Sequence, residues 1–183
     1  MGSVGEDTLA VIESGDVPAV SMVLVDGKIV VAKSRNSPPP VSCSFSGGLK
    51  PFQQAAVEDM LARDFGTLSS ATGSGKTVMA LYIIAQRKQP ALIIVHTKDL
   101  AAQWIERIET FLGIPPEEVG MIGAGKKTVG PKITVALVQS LYKCAEEVAL
   151  QIGFLIVDEC HRCPSRTFTE AVSSFDSQYM LGL

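Results

Sequence analysis

The sequence has few cysteines, no long apolar run and no basic leader. Four cysteines in 183 residues are too few for a disulfide framework and are compatible with a reducing compartment. Apolar stretches such as 91–95 and 154–157 are far shorter than the ~18 residues that a membrane-spanning helix needs. No basic segment followed by an apolar one opens the chain, so no secretory signal is indicated. We therefore expect an intracellular protein, located either in the cytoplasm or nucleoid or in a nucleus. No membrane partner is expected.

Charge of one sign is not in marked excess either. The 16 lysines and arginines against 19 aspartates and glutamates give a formal net charge of −3. A protein held on nucleic acid by bulk electrostatics is normally basic, so any such binding by this chain must be local or shared with a partner. The apolar fraction of 46 % is sufficient for a large core and excludes disorder by composition.

The first part of the chain predicts a small β appendage. Between residues 17 and 33, two apolar segments flank Asp26-Gly27, a dipeptide typical of the tight turns of β-hairpins. The prolines at 38–40 follow, and they fit neither a helix interior nor a central strand. We therefore place a β-hairpin and a proline-rich linker in residues 1–45 and the main domain in residues 46–183.

Beyond residue 45, short β-rich segments alternate with helical patterns, which predicts an α/β fold with a parallel sheet flanked by helices. A first helix is expected from Pro51 to about Phe65, with Gly66 as its C-cap. A later helix carries an apolar stripe that includes Trp104, and we interpret this stripe as core without a role in chemistry. Strands are expected at 67–70, 91–95, 119–122, 133–138, 153–157 and 179–182.

A glycine-rich segment, Ala71-Thr72-Gly73-Ser74-Gly75-Lys76-Thr77, lies between a short predicted strand and a helical run over 78–86. Glycines let successive backbone N–H groups point at an anion, and the following helix adds the positive end of its dipole. Lys76 can reach the β- and γ-phosphates of a nucleotide, and the Thr77 hydroxyl can ligate Mg²⁺. The general motif has glycine where this chain has Ser70, which is also small. Residues 72–77 are therefore predicted to bind a nucleotide.

Two acidic residues, Asp158 and Glu159, follow the apolar strand over 154–157. In open parallel sheets the ligand crevice lies beyond the carboxyl ends of the strands, where both Lys76 and Asp158 are expected. Asp158 would hold Mg²⁺ directly or through water. Glu159, on the other face, would orient or deprotonate a water that attacks the γ-phosphate. This pair predicts hydrolysis of the nucleotide rather than transfer of its phosphate to a second substrate.

Two other clusters allow more than one interpretation. Cys160-His161-Arg162-Cys163 has the spacing of a zinc or redox motif, but the chain has no second C-x-x-C, and we interpret the cysteines as incidental. Lys126, Lys127 and Lys132 occupy a glycine-bearing segment and could contact phosphates, but a lysine-rich turn is ordinarily only solvated.

Together, ATGSGKT and DECH resemble the first RecA-like lobe of superfamily 2 helicases and translocases of the DExH group, over about residues 46–183. The segment Leu49-Lys50-Pro51-Phe52-Gln53-Gln54-Ala55 is similar to the adenine-recognition element of the family, which implies that Gln53 contacts the base. The resemblance implies ATP and Mg²⁺ as cofactors. It also implies that His161 couples the state of the nucleotide to the neighbouring lobe.

Two further segments resemble motifs of this family that contact nucleic acid. His96-Thr97-Lys98-Asp99-Leu100-Ala101-Ala102-Gln103-Trp104 is similar to motif Ia, which implies backbone contacts from Thr97 and Lys98. Thr97 is also placed to cap the helix that begins near Lys98, and a helix N-terminus can bind a phosphate without much net positive charge. Val138-Gln139-Ser140-Leu141 resembles the next such element, which implies contacts from Gln139 and Ser140.

The sequence of the motif Ia segment resembles most closely the branch that contains the excision-repair helicase and the restriction-enzyme translocases. This resemblance favours DNA over RNA as the nucleic acid that is bound. In this family a second RecA-like lobe follows and supplies an arginine finger, so we expect a second lobe in cis or trans and weak ATP hydrolysis by the isolated chain. A small P-loop kinase and a non-hydrolysing ATP-gated binding module remain as alternatives.

Overall fold

In the computed structural model, the chain divides into two compact units, Met1–Asn36 and Ser37–Leu183. The structure describes residues 20–25, 28–33, 35–71, 73–160 and 166–183. In the first unit, β1 (Val20–Val25) pairs antiparallel with β2 (Lys28–Lys33), and Val25 lies opposite Lys28. The strands of the expected hairpin are therefore present, while the Asp26-Gly27 turn lies outside the described residues.

The second unit contains a seven-stranded sheet with the order β3-β9-β8-β4-β7-β5-β6. Every pairing in it is parallel except that of β5 with β6. The predicted α/β fold with a parallel sheet is thus confirmed. The strands are β3 (Phe65–Thr67), β4 (Ala91–Val95), β5 (Gly120–Gly123), β6 (Lys126–Thr128), β7 (Ile133–Leu137), β8 (Phe154–Val157) and β9 (Tyr179–Gly182).

Helices cover both faces of this sheet. Along β4, Ile93 and Val95 belong to one buried cluster, whereas Leu92 and Ile94 belong to the other. This alternation follows from the two-residue period of a strand, and it explains why the central strands are apolar throughout. The first cluster includes residues of α1 (Pro51–Leu61), α2 (Lys76–Arg87) and α3 (Lys98–Leu112). The second includes residues of α4 (Val138–Leu141), α5 (Ala145–Ala149) and α6 (Arg166–Ser173).

The predicted end of the first helix was wrong. Helix α1 ends at Leu61, and Ala62 takes the C-cap position. Phe65–Thr67 then pairs with β9, so the strand begins before the predicted 67–70 and includes Gly66. A Cβ atom at Gly66 would lie 2.9 Å from the Met60 sulfur. The glycine therefore permits close approach of α1 to the strand and does not cap the helix.

Residues 37–46, which precede the sheet, belong to the second unit and pack on its helices. The backbone N–H of Val41 donates to the carbonyl of Lys88, and that of Ser46 donates to the carbonyl of Phe111. The ring of Phe45 lies between Tyr82 and Phe111, with centroid distances of 5.3 and 5.8 Å. The division between the two units therefore precedes residue 45, because residues that the sequence assigned to a linker make contacts with α2 and α3. Among the described helices, none combines the length and apolar character needed to cross a membrane.

Removal of core volume behind the acidic strand end should destabilise the second unit strongly. Ile156 lies in the middle of β8 and is 0 % exposed. We expect Ile156→Ala to lower the free energy of unfolding by about 2–5 kcal/mol, because buried methyl groups are lost and a cavity remains. Urea denaturation would measure the change. Glu109→Ala, on the exposed face of α3, is the control and should stay within about 0.5 kcal/mol of the parent. An equal, small effect of both substitutions would contradict the assigned core.

Candidate functional site

The glycine-rich loop connects β3 to α2 at the carboxyl end of the strand. Gly73 has φ 81° and Gly75 has φ 87°, which are left-handed values that favour glycine. Gly75 is the N-cap of α2, and its carbonyl accepts from the N–H of Met79 at 3.0 Å. The first turn of α2 therefore presents its free N–H groups toward the loop, as the sequence predicted. Thr72, which we assigned to the same loop, lies outside the described residues.

Lys76 and the two serines of the loop form a local hydrogen-bond network. The Lys76 ammonium donates to the carbonyl of Ser70 at 3.2 Å. The hydroxyl groups of Ser70 and Ser74 lie 2.5 Å apart. Ser70, which replaces the glycine of the general motif, thus closes the loop with its side chain and holds the lysine with its backbone.

Gln53 connects α1 to this loop. Its side-chain oxygen accepts from the N–H of Lys50 at 2.9 Å, and its side-chain nitrogen donates to the carbonyl of Ser74 at 2.8 Å. The residue is only 6 % exposed. Both ends of the amide therefore bind backbone groups, and Gln53 fixes the loop against the helix. Its contact with an adenine base stays a prediction.

The acidic pair follows β8 directly. The N–H of Asp158 donates to the carbonyl of Ile94 at 3.0 Å, which continues the parallel ladder and fixes the backbone at the strand end. Glu159 has φ 52°, a left-handed value that is uncommon for a residue other than glycine. Its N–H donates to Asp158 Oδ1 at 2.9 Å and stabilises this turn. We expected the two side chains on opposite faces, but the left-handed turn brings both residues to one cavity.

This cavity, of about 470 Å³, brings together the loop and the acidic pair. It is lined by residues from the loop and α2, from the ends of β8 and β9, and from α3: Gly73, Ser74, Gly75, Lys76, Thr77, Val78, Arg107, Asp158, Glu159 and Leu183. The convergence expected at the carboxyl ends of the strands is therefore present. The Thr77 hydroxyl and the Asp158 carboxylate are oxygen ligands of the kind that Mg²⁺ prefers.

Two residues of α3 take part in the site although the sequence analysis gave them no role. The indole N–H of Trp104 donates to Asp158 Oδ2 at 2.8 Å. Arg107, three residues further, lines the cavity. Our interpretation of Trp104 as core without chemistry was incomplete, because the buried ring also presents its one polar atom to the acidic residue. The three-residue spacing was a usable signal, since it places Arg107 on the same helix face as Trp104.

The residues expected to contact nucleic acid follow two neighbouring strands. Thr97 and Lys98 come after β4 and are exposed, and the Thr97 hydroxyl accepts from the N–H of Leu100 at 3.2 Å. The predicted cap of α3 is thus confirmed. Gln139 is exposed and Ser140 is half-buried, just after β7. Because Val95 pairs with Leu137 in parallel, both segments start at the same edge of the sheet.

The lysine-rich segment forms a strand and not an open turn. Lys126 and Lys127 belong to β6, and the Lys127 ammonium pairs with Glu147 at 2.6 Å. This hydrogen bond raises the pKa of Lys127 above its usual value. Both partners are more than half exposed, and such surface pairs contribute little to stability.

The cysteines that the structure describes carry free thiols: Cys43, Cys144 and Cys160. Burial raises the pKa of the Cys43 thiol, against a smaller lowering by Lys132. Across the described part of the chain, no group of three or more potential metal ligands of the His, Cys, Asp and Glu types comes together. His161 and Cys163 lie outside the described residues, so the zinc interpretation and the coupling role of His161 are not decided by this geometry.

Comparison with known proteins gives the family. The model of the ResIII family, described as type III restriction enzyme, res subunit, matches residues 46–183. The chain belongs to the ResIII family. The matched range is the one in which the sequence resembles superfamily 2 helicases, and it contains both the glycine-rich loop and the acidic pair.

Individual proteins resemble this ResIII domain in sequence or in fold. The DNA 3'-5' translocase XPB2 of Sulfurisphaera tokodaii is 39 % identical over 135 residues, which cover 74 % of this chain and 30 % of the relative. The UvsW helicase from bacteriophage T4 superposes with a TM-score of 0.65 at 20 % identity, over 81 % of this chain and 61 % of that one.

A Sulfolobus solfataricus SWI2/SNF2 ATPase core, solved in complex with dsDNA, gives a TM-score of 0.65 at 20 % identity, over 79 % of this chain and 33 % of that one. These structural similarities show that the ResIII domain has the RecA-like helicase fold. The chain spans only 30 % to 61 % of the length of the three proteins.

Proposed function

We propose that this ResIII domain is the ATP-binding lobe of an ATP-dependent DNA helicase or translocase. The observation that carries the proposal is the single cavity in which Lys76 and Thr77 meet Asp158 and Glu159. A loop that binds phosphate and a carboxylate pair are the two groups that hydrolysis of a nucleoside triphosphate requires from one lobe. The named relative is a DNA translocase, which supports DNA over RNA as the substrate.

Several residues in and beside the cavity have roles in this proposal. The backbone N–H groups of residues 73–77 and the Lys76 ammonium bind the phosphates. Thr77 and Asp158 hold Mg²⁺, which when bound neutralises phosphate charge. Glu159 orients the attacking water and accepts its proton. Gln53 keeps the loop in place and contacts the base.

Helix α3 supports a connection between ATP and nucleic acid. It begins at Lys98, where Thr97 caps its first turn. Further along, Trp104 donates to Asp158 and Arg107 lines the cavity. The backbone of a nucleic-acid strand is contacted by Thr97 and Lys98 and also by Gln139 and Ser140. One helix therefore joins a nucleic-acid contact to the ATP site, and His161 adds a link to the neighbouring lobe.

A second RecA-like lobe completes the motor, in cis or in trans. In phosphoryl transfer an arginine finger contributes about 10³–10⁵ in rate, and the second lobe of this family supplies it. We therefore expect the 183-residue chain to bind ATP but to hydrolyse it weakly. The proposed location is the compartment that holds the DNA.

Phosphate release, measured with and without duplex DNA, tests this function. We expect weak release by the chain alone and DNA-stimulated release when a second RecA-like lobe is joined to it. A duplex RNA of equal length is the matched control for the substrate and should stimulate less. Tight ATP binding without turnover in the two-lobe protein would contradict the motor and support an ATP-gated binding module.

A further inference from the structure

We infer that Trp104 is a positioning residue that holds the carboxylate of Asp158 in the orientation that binds Mg²⁺. The inference rests on the proposed function of the cavity, because it assigns a partner to the residue that would hold the metal ion there. It concerns a side chain of α3, which neither the nucleotide loop nor the acidic strand end includes.

The two oxygens of Asp158 have separate donors. Oδ2 accepts from the indole N–H of Trp104 at 2.8 Å, and Oδ1 accepts from the backbone N–H of Glu159 at 2.9 Å. An ionised carboxylate offers about four lone-pair sites. One site on each oxygen therefore remains for Mg²⁺ or for a water bound to it, while the two donors fix the plane of the carboxylate.

The donor itself is rigid. Trp104 is 2 % exposed and packs in the cluster between α3 and the sheet. A buried indole N–H needs an acceptor, and here the acceptor comes from a residue 54 positions away at the end of β8. Packing alone would be satisfied by another large apolar ring. The hydrogen bond therefore adds a constraint on Asp158 that the core does not require.

Trp104→Phe tests this constraint, because phenylalanine keeps an aromatic ring in the core and removes the donor. Calorimetric titration of the full chain with ADP over a series of Mg²⁺ concentrations gives the affinity with and without the metal ion. Mg²⁺ is expected to raise the affinity for ADP. We expect the Mg²⁺ concentration that gives half of this increase to be about 10- to 100-fold higher in the variant, the usual result of removing a partner of a ligating group. Binding of ADP in EDTA should be unchanged.

Ile108→Val is the matched control. Ile108 lies one turn further along α3 and is 0 % exposed, so this substitution also trims the buried face of the helix. We expect it to leave the Mg²⁺ dependence unchanged. If Trp104 served only to fill the core, both variants would keep the Mg²⁺ dependence of ADP binding seen in the parent, and the inference would be overturned.

Tryptophan fluorescence gives a second readout, because the chain contains one tryptophan. Its emission depends on the local environment of the indole, which includes the Asp158 carboxylate at 2.8 Å from the ring nitrogen. We expect Asp158→Ala to shift the emission maximum of the free protein and to remove the change that Mg²⁺ and ADP cause together in the parent. Glu117→Ala, an exposed substitution in another segment, should leave both unchanged. Identical emission of the parent and Asp158→Ala would overturn the inference even if Trp104→Phe fails to fold.

The proposed function of the cavity and the role of Trp104 are refuted by different results. A parent chain that binds ADP with no dependence on Mg²⁺ would refute the proposed function of the cavity and, with it, the role of Trp104. A parent chain with Mg²⁺-dependent binding that Trp104→Phe retains at full strength would refute the role of Trp104 alone.

Discussion

In the Lys76→Ala variant, nucleotide binding is expected to weaken by about 10- to 150-fold. Lys76 lines the cavity and its ammonium lies near the loop, where it now donates to a carbonyl. A hydrogen bond to a charged group contributes about 1.5–3 kcal/mol, which corresponds to that range of affinity. Calorimetric titration with ATP under conditions that prevent turnover would measure the loss.

Lys88→Ala is the control for Lys76→Ala. Lys88 is the exposed C-cap of the same helix, α2, so its removal subtracts the same charge at the far end. We expect its affinity for ATP to stay within about twofold of the parent, since solvent and salt screen exposed charges over that distance. Equal losses in both variants would show that net charge and not the loop governs binding.

The sheet could largely be predicted from the sequence because its strands are buried on both faces. The run 91–95 is apolar at every position, and it coincides with β4. The run 154–157 before Asp158 is also apolar at every position, and it coincides with β8. A period of two is absent from such strands, so their ends are marked by the first polar residue. That residue is also where parallel sheets place their ligands, which is why the acidic pair was found together with its strand.

The parts that the sequence did not predict depend on contacts between distant elements. Gly66 resembles a helix C-cap in its local context, but pairing with β9 and the approach of Met60 place it inside a strand. Trp104 fits a core stripe in every local respect, and only the folded chain brings its N–H to Asp158. Local patterns report which face of an element is buried, and they do not report which polar atom that face meets.

The left-handed turn at Glu159 shows the same limit at shorter range. In an extended strand, Asp158 and Glu159 would point to opposite faces. The observed φ of 52° redirects the chain, and the carboxylate of Asp158 stabilises the turn through the N–H of Glu159. Residues held in sparsely populated backbone conformations concentrate at functional sites. The strain therefore supports the assignment of this strand end to the site.

The Glu159→Gln variant separates binding from hydrolysis. Glutamine keeps the shape of the side chain but does not accept a proton from water, so hydrolysis should fall by about 10²–10⁴-fold, the usual contribution of a general base. Affinity for ATP should stay within about threefold of the parent, because Lys76, Thr77 and Asp158 remain. The measurement is DNA-stimulated phosphate release in a two-lobe protein, paired with calorimetry on the single lobe.

Glu117→Gln controls for the loss of one negative charge, since Glu117 is exposed in the short helix Pro116–Glu118. We expect its rate of phosphate release to match that of the parent. If Glu159→Gln also kept the parental rate, another group would have to accept the proton of the attacking water. The position of Glu159 at the cavity would then reflect only the turn that Asp158 stabilises. If it instead lost ATP binding, Glu159 would act through the structure of the strand end. A selective loss of hydrolysis is the outcome that assigns the proton of the attacking water to Glu159.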